Sequence, residues 1–188
     1  MTASLPRSVQ LNGVEYAVRT NFRDILTILQ AFNDPDLEPT EKVFVCLFIF
    51  YEDFYALSSE AYETAYREAV RFIDHGIAPD EKAQKSPRVM DWEQDAPLLF
   101  PAINKVAGRE TRAESYIHWW TFLGYYMEIT EGIFSTVLHI RLKKQKRQKL
   151  EKWEAEFFNA NQGICKLKKK ESAETRKIKA RLNALLGD

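Results

Sequence analysis

Apolar and polar residues alternate with a period of two near the N-terminus, where Val9 and Leu11, then Val14, Tyr16 and Val18, flank the pair Asn12-Gly13. Asn-Gly readily takes the positive φ angles of a type I′ turn, so residues 8–18 are predicted to form a short β-hairpin. Downstream the period lengthens to that of a helix. Asn21 is placed to cap a segment in which Phe22, Ile25, Leu26, Leu29 and Phe32 share a face. Asp24 suits the positive end of its dipole, and Asn33-Asp34-Pro35 ends it.

Thr40 is the expected cap of the next helix, which runs through Phe44, Cys46, Leu47, Phe48 and Phe50. It is apolar on nearly every side, which places it in the middle of the fold. Ser58 or Ser59 opens a third helix with Tyr62, Tyr66, Ala69, Val70 and Ile73 on one face, and Gly76 supplies a left-handed stop. Residues 78–89 are polar, with two prolines, and read as an exposed loop.

Asp91 and Gln94 have capping-box spacing ahead of Leu98, Leu99, Ile103 and Val106, and Gly108 closes that helix. Pro97 and Pro101 remove two amide donors, so the helix should be kinked or start late. Thr111 and Glu114 form a second capping-box pair, introducing a run from Tyr116 to Met127 that is apolar almost all round and is the expected central helix. After Gly132 a helix begins with Ile133, Phe134, Val137 and Leu138 and turns basic from Arg141 to Lys152. Trp153, Phe157 and Phe158 restore an apolar stripe, a break is expected at 159–163, and residues 166–186 form a last helix with sparse apolar points at Leu167, Ile178, Leu182, Leu185 and Leu186. Such a helix needs docking to be stable.

These elements describe a mainly α fold: a helical bundle with a short N-terminal β-hairpin and a basic C-terminal helical extension. Residues 1–140 form the body and 141–188 a basic tail, docked or partner-binding. At 188 residues, 45% apolar and 29% charged, the chain suits one folded domain. Its net charge of zero conceals a dipole, because residues 141–188 carry 15 Lys and Arg against 6 Asp and Glu, and residues 1–140 carry 12 against 21. Such asymmetry points to a nucleic-acid tail, or to a basic helix that docks on an acidic body or partner. Cys46 and Cys165 offer neither a disulfide framework nor a metal motif and are expected to be reduced thiols in a cytosolic setting. Residues 1–10 lack a signal core, and no apolar run reaches the roughly 18 residues of a membrane helix.

Candidate chemistry adds little. His75, His118 and His139 lack ligand spacing, so no metal is expected, and His118 is better read as a core histidine bonded to a backbone carbonyl or carboxylate than as a general base. Asp91, Glu93 and Asp95 suit a helix start better than an acid/base pair. No glycine-rich phosphate loop or nucleophile elbow is present, and neither an enzyme nor a cofactor is expected. The segment with Arg141, Lys143, Lys144, Lys146, Arg147 and Lys149 would bind nucleic acid through phosphates, or be a solvated or protein-contacting helix balanced by Glu151, Glu154 and Glu156; the second reading is favoured.

The motifs Asp91-Trp92-Glu93-Gln94-Asp95 and His118-Trp119-Trp120, with the stretches 91–108, 116–129 and 134–158, resemble the bacteriophage gene-product-fifteen family of tailed phages and prophages of Gram-positive bacteria. The helix, Asp-Pro turn and second helix over residues 21–51 are similar to it too. The resemblance implies a tail assembly chaperone, encoded between the tail-tube and tape-measure genes, that shields the tape-measure protein and helps recruit tail-tube subunits in the host bacterial cytoplasm during phage assembly. It implies no catalytic residues, and matching Asp91, Trp92, Gln94, Asp95, His118, Trp119 and Trp120 to the family motifs implies shared architecture. The expected partner contacts are Arg141, Lys143, Lys144, Lys146, Arg147, Lys149, Trp153, Phe157 and Phe158, where charge lies beside aromatic anchors. A structural component of the virion tail is the alternative, then a nucleic-acid-binding accessory protein. Self-association stays open, and no membrane partner is expected.

Overall fold

In the computed structural model, which describes residues 4–76 and 88–186, the hairpin forms as its sequence dictates. Strand β1 (Ser8–Leu11) pairs antiparallel with β2 (Val14–Ala17), and Asn12 and Gly13 both take positive φ, 52° and 83°. The chain then bridges from Val18 to Tyr51. Arg19 donates to the carbonyls of Phe48, Ile49, Tyr51 and Glu52, closing a helix end that would otherwise present unpaired acceptors.

Helix α1 (Phe22–Phe32) starts where Asn21 Oδ1 accepts the Arg23 amide at 3.2 Å. Its deepest residues are Phe22, Ile25 and Ile28, with Leu26, Leu29 and Phe32 at the margin. Helix α2 (Pro39–Phe50) corrects the expected cap. Pro39 occupies the first helical position, Glu38 and Glu41 form the capping box, and Thr40 lies inside the helix. Nor is α2 central all round. It packs on α1 and α3 through Cys46, Leu47 and Phe50, and Phe44 and Phe48, on the open face, are about half exposed.

A 3-10 turn at Ser59–Ala61 leads into α3 (Tyr62–Ile73), which ends through His75 and Gly76 at φ 62° and 75°, the Gly76 amide reaching back to Arg71 O at 2.8 Å. Of the expected exposed loop, residues 78–87 lie outside the described residues. Helix α4 (Ala96–Ala107) starts late, with Pro97 in its first turn and Pro101 inside it, and Gly108 at φ 68° ends it.

The expected second capping box does not form. Thr111 begins a 3-10 turn (Thr111–Ala113) and donates its N–H and hydroxyl to Asn104 Oδ1, both at 2.8 Å. Residues 116–118 then stay non-helical because this stretch pairs with the entry to α1: Phe22 N–H donates to Ile117 O and Trp119 N–H to Thr20 O. Only then does α5 (Trp119–Met127) begin, capped by His118. Helices α6 (Ile133–Gln145), α7 (Lys152–Ala160), α8 (Gln162–Cys165) and α9 (Ala173–Leu186) follow, and the break between α7 and α8 falls at Asn161 within the expected 159–163. The expected last helix therefore starts at Ala173 instead of near 166. Helix α6 runs unbroken through positions 140 and 141, both buried.

The core is aromatic. Phe22 stacks on Phe122 with centroids 4.3 Å apart, Trp119 lies against Phe122, and Phe50 meets Phe72 edge-on. Burying each such ring contributes roughly 1.5–3 kcal/mol. Tyr51 joins them because its hydroxyl donates to Ala65 O at 2.9 Å, which satisfies a polar atom that would be costly if buried alone.

Candidate interaction surface

Most residues of the two sequence motifs turn inward, with Glu93 exposed. Asp91 Oδ1 accepts the amides of Glu93 and Gln94 at 3.0 and 2.8 Å, but the Asp91 amide is taken by Asp95 Oδ2 at 2.9 Å, one position beyond the expected Gln94. Gln94 instead reaches across to the Lys166 carbonyl and the Lys168 amide, tying the segment after α8 to the start of α4. Burial pushes the Asp91 carboxyl up, yet the Gln94 and Glu93 amides, Lys170 and Arg88 outweigh it and hold the group below its ordinary value. Trp92 meets Trp119 edge-on, centroids 6.0 Å apart.

His118 serves both of its neighbours. Its Nδ1 accepts the Trp120 amide at 3.0 Å, capping α5, while Nε2–H donates to Pro6 O at 2.8 Å. Those two bonds require the neutral ring with its proton on Nε2. Burial depresses the pKa below 6.5, with Arg7 and His75 adding to the effect and the Pro6 carbonyl opposing it. The two indoles that follow close the end of α3: Trp119 Nε1–H donates to Ile73 O at 2.8 Å and Trp120 Nε1–H to Phe72 O at 2.9 Å. His118-Trp119-Trp120 thus joins the start of α5 to the end of α3. Asp91 and Asp95 have their carboxylate oxygens occupied by backbone amides and cations, which leaves them poorly placed for proton transfer. Among the described residues no group of three or more His, Cys, Asp or Glu could hold a metal ion.

The basic segment is divided between interior and surface. Arg141, expected among the partner contacts, is buried and bound to Asp95 through two N–H···O bonds. Its placement follows from its register, since Phe134, Val137, Leu138 and Arg141 stand at i, i+3, i+4 and i+7 on one face of α6. Lys143 is fixed by Glu154, whose oxygens accept from Nζ at 2.6 and 2.8 Å. Lys144 lies over the Phe158 ring at 3.9 Å, with Phe157 and Phe158 half-buried.

The continuous basic helix expected here is broken. α6 stops at Gln145, Arg147 turns left-handed at φ 54°, and Gln148 N–H returns to Lys143 O at 2.8 Å. The chain re-enters α7 through a Glu151/Glu154 capping box. Glu154 holds the elbow together: its bond to Lys143 first, then the Glu151 amide and the nearby Lys143 and His139 charges, lower its pKa against a smaller opposing effect of burial. His139 Nε2 stands 3.1 Å away. Lys146, Arg147 and Lys149 lie outside, exposed and without an ion pair to another described residue, as does Lys152, and Trp153 is 51% exposed with its indole N–H on Glu151. This elbow is a cationic turn beside an open indole, a combination suited to a partner that brings both apolar and anionic groups.

Among the described residues no helix is long and apolar enough to cross a membrane. A protein-family model described as Bacteriophage Gp15 protein matches residues 1–167. No curated protein and no solved structure matches the chain.

Proposed function

Since this chain belongs to the Bacteriophage Gp15 family, we propose that it is a non-enzymatic tail assembly chaperone, binding the tape-measure protein and helping tail-tube subunits to assemble around it. The observation that carries the binding role is the elbow between α6 and α7. Lys146, Arg147 and Lys149 stand exposed beside Trp153, whereas Arg141, Lys143 and Lys144 are held by groups of the same chain. An amphipathic helical segment with acidic flanks fits this pairing, its apolar face on the indole and its carboxylates on the turn. The proposed site of action is the host bacterial cytoplasm during assembly.

Co-expression with the tape-measure protein tests the reading: a co-purifying complex supports it, and neither complex nor gain in tape-measure solubility sinks it. Mass spectrometry of purified particles separates a chaperone, absent from the virion, from a structural tail component present in stoichiometric amount.

A further inference from the structure

Among the described residues, two surfaces of opposite charge stand unpartnered on the same chain. The first is the open face of α2. Phe44 and Phe48 stack with centroids 5.9 Å apart, Phe54 meets them edge-on at 5.3 and 5.8 Å, and Tyr55 beside it is 85% exposed. The segment that builds this face, residues 38–63, carries Glu38, Glu41, Glu52, Asp53, Glu60 and Glu63 against the single Lys42. Arg19, at the end of α2, has its guanidinium on backbone carbonyls. The face is therefore an aromatic centre with an anionic rim.

The second surface is α9. Its residues 173–181 are all exposed, including Ile178 and the cations Lys177 and Arg181, which form no ion pair with another described residue. It is tied to the body at its first turn, where the Ala173 amide and Arg176 meet Asp36. A helix of 14 residues with this composition is weak in water without something to pack on. Ile178 lies open on it while Phe44 and Phe48 lie open on α2, so the two complementary surfaces of one molecule do not cover each other.

We propose that α9 of one copy docks across the Phe44, Phe48 and Tyr55 face of a second copy. Ile178 would enter the aromatic centre, with Lys177 and Arg181 reaching the acidic rim. Because the contact joins different patches on the two molecules, an open assembly keeps one patch and one helix free at its ends, and it either closes as a ring or grows as a filament. The family match ends at residue 167, so the helix that makes this contact lies beyond the matched segment. The inference is independent of tape-measure binding, since the purified chain alone suffices to test it.

Sedimentation velocity over a concentration series at low and high salt, with circular dichroism as a check of folding, reads it directly. The wild-type chain should reach an average mass at least twice its 21.9 kDa and lose it as salt screens the rim. Phe48→Glu and Ile178→Glu, both at exposed positions, should each be monomeric and folded. Mixed together they should form a 1:1 dimer that grows no further, because the first retains only the helix and the second only the face. A wild-type chain that stays monomeric at every concentration overturns the proposal, as does a mixture of the two variants that fails to pair.

Discussion

Arg141 and Asp95, 46 positions apart, meet through paired N–H···O bonds of 2.7 and 2.8 Å with both side chains almost wholly buried. The other guanidinium bonds reach Cys165 O, Val89 O and Ile164 O, so one residue of α6 holds the start of α4, the end of α8 and the segment before Asp91. Arg141→Ala strands a buried carboxylate and three carbonyls, and should cost about 3–5 kcal/mol in urea unfolding. Arg141→Lys should also destabilise, because an ammonium cannot reproduce the fork. A loss below about 1 kcal/mol for Arg141→Ala would show that the pair does not hold these elements.

His118 makes the start of α5 sensitive to pH. Its folded pKa lies below 6.5, so the folded state binds fewer protons than the unfolded one, and its contribution to stability is complete above 6.5 and lost as pH falls from there toward the folded pKa. A proton on Nδ1 would also turn the acceptor for the Trp120 amide into a donor. Unfolding free energy should therefore rise with pH through the window just below 6.5, and His118→Asn, a neutral side chain able to cap, should flatten that slope. An unchanged slope in the variant would assign the pH dependence elsewhere.

Glu154 should govern the elbow more than the body. Its pKa is held below the ordinary 4.5, so its contribution is present above that value and lost as pH falls through the folded pKa. Glu154→Gln weakens the bonds to Lys143 and to the Glu151 amide. Amide exchange over residues 143–154 should quicken, while the amides of α1 and α5 stay protected. Faster exchange across the whole chain would make Glu154 a core residue instead.

The exposed elbow residues should separate binding from folding. Lys146→Glu with Arg147→Glu, or Trp153→Ala, removes side chains that face solvent, so stability should shift by no more than about 0.5 kcal/mol per site. Tape-measure binding should fall at least tenfold. Equal losses of stability and binding would mean that the elbow is structural.

Local signals made much of the fold legible. Asn12-Gly13 announced the hairpin, Asn21 the start of α1, Gly76 and Gly108 the ends of α3 and α4. A local preference gives way where a distant partner overrules it. Thr111 and Glu114 have the spacing of a cap, but residues 117–119 pair with Thr20 and Phe22, which keeps the approach to α5 non-helical. Thr40 lost to Glu38 because Pro39 sets the first turn one residue earlier. Arg141 groups with its charged neighbours in sequence, but its register with Phe134, Val137 and Leu138 marks it as facing inward; its partner Asp95 is not legible from spacing. The apolar run of α2 is central by composition, yet its Phe44 and Phe48, four apart, share a face that is about half exposed.

The most direct test of the chaperone reading is the yield of soluble tape-measure protein expressed with the wild-type chain, with the Lys146→Glu/Arg147→Glu chain, and alone. The elbow account predicts soluble, co-purifying tape-measure protein with the wild type and its loss to the alone level with the double variant. Equal solubility in all three would contradict it.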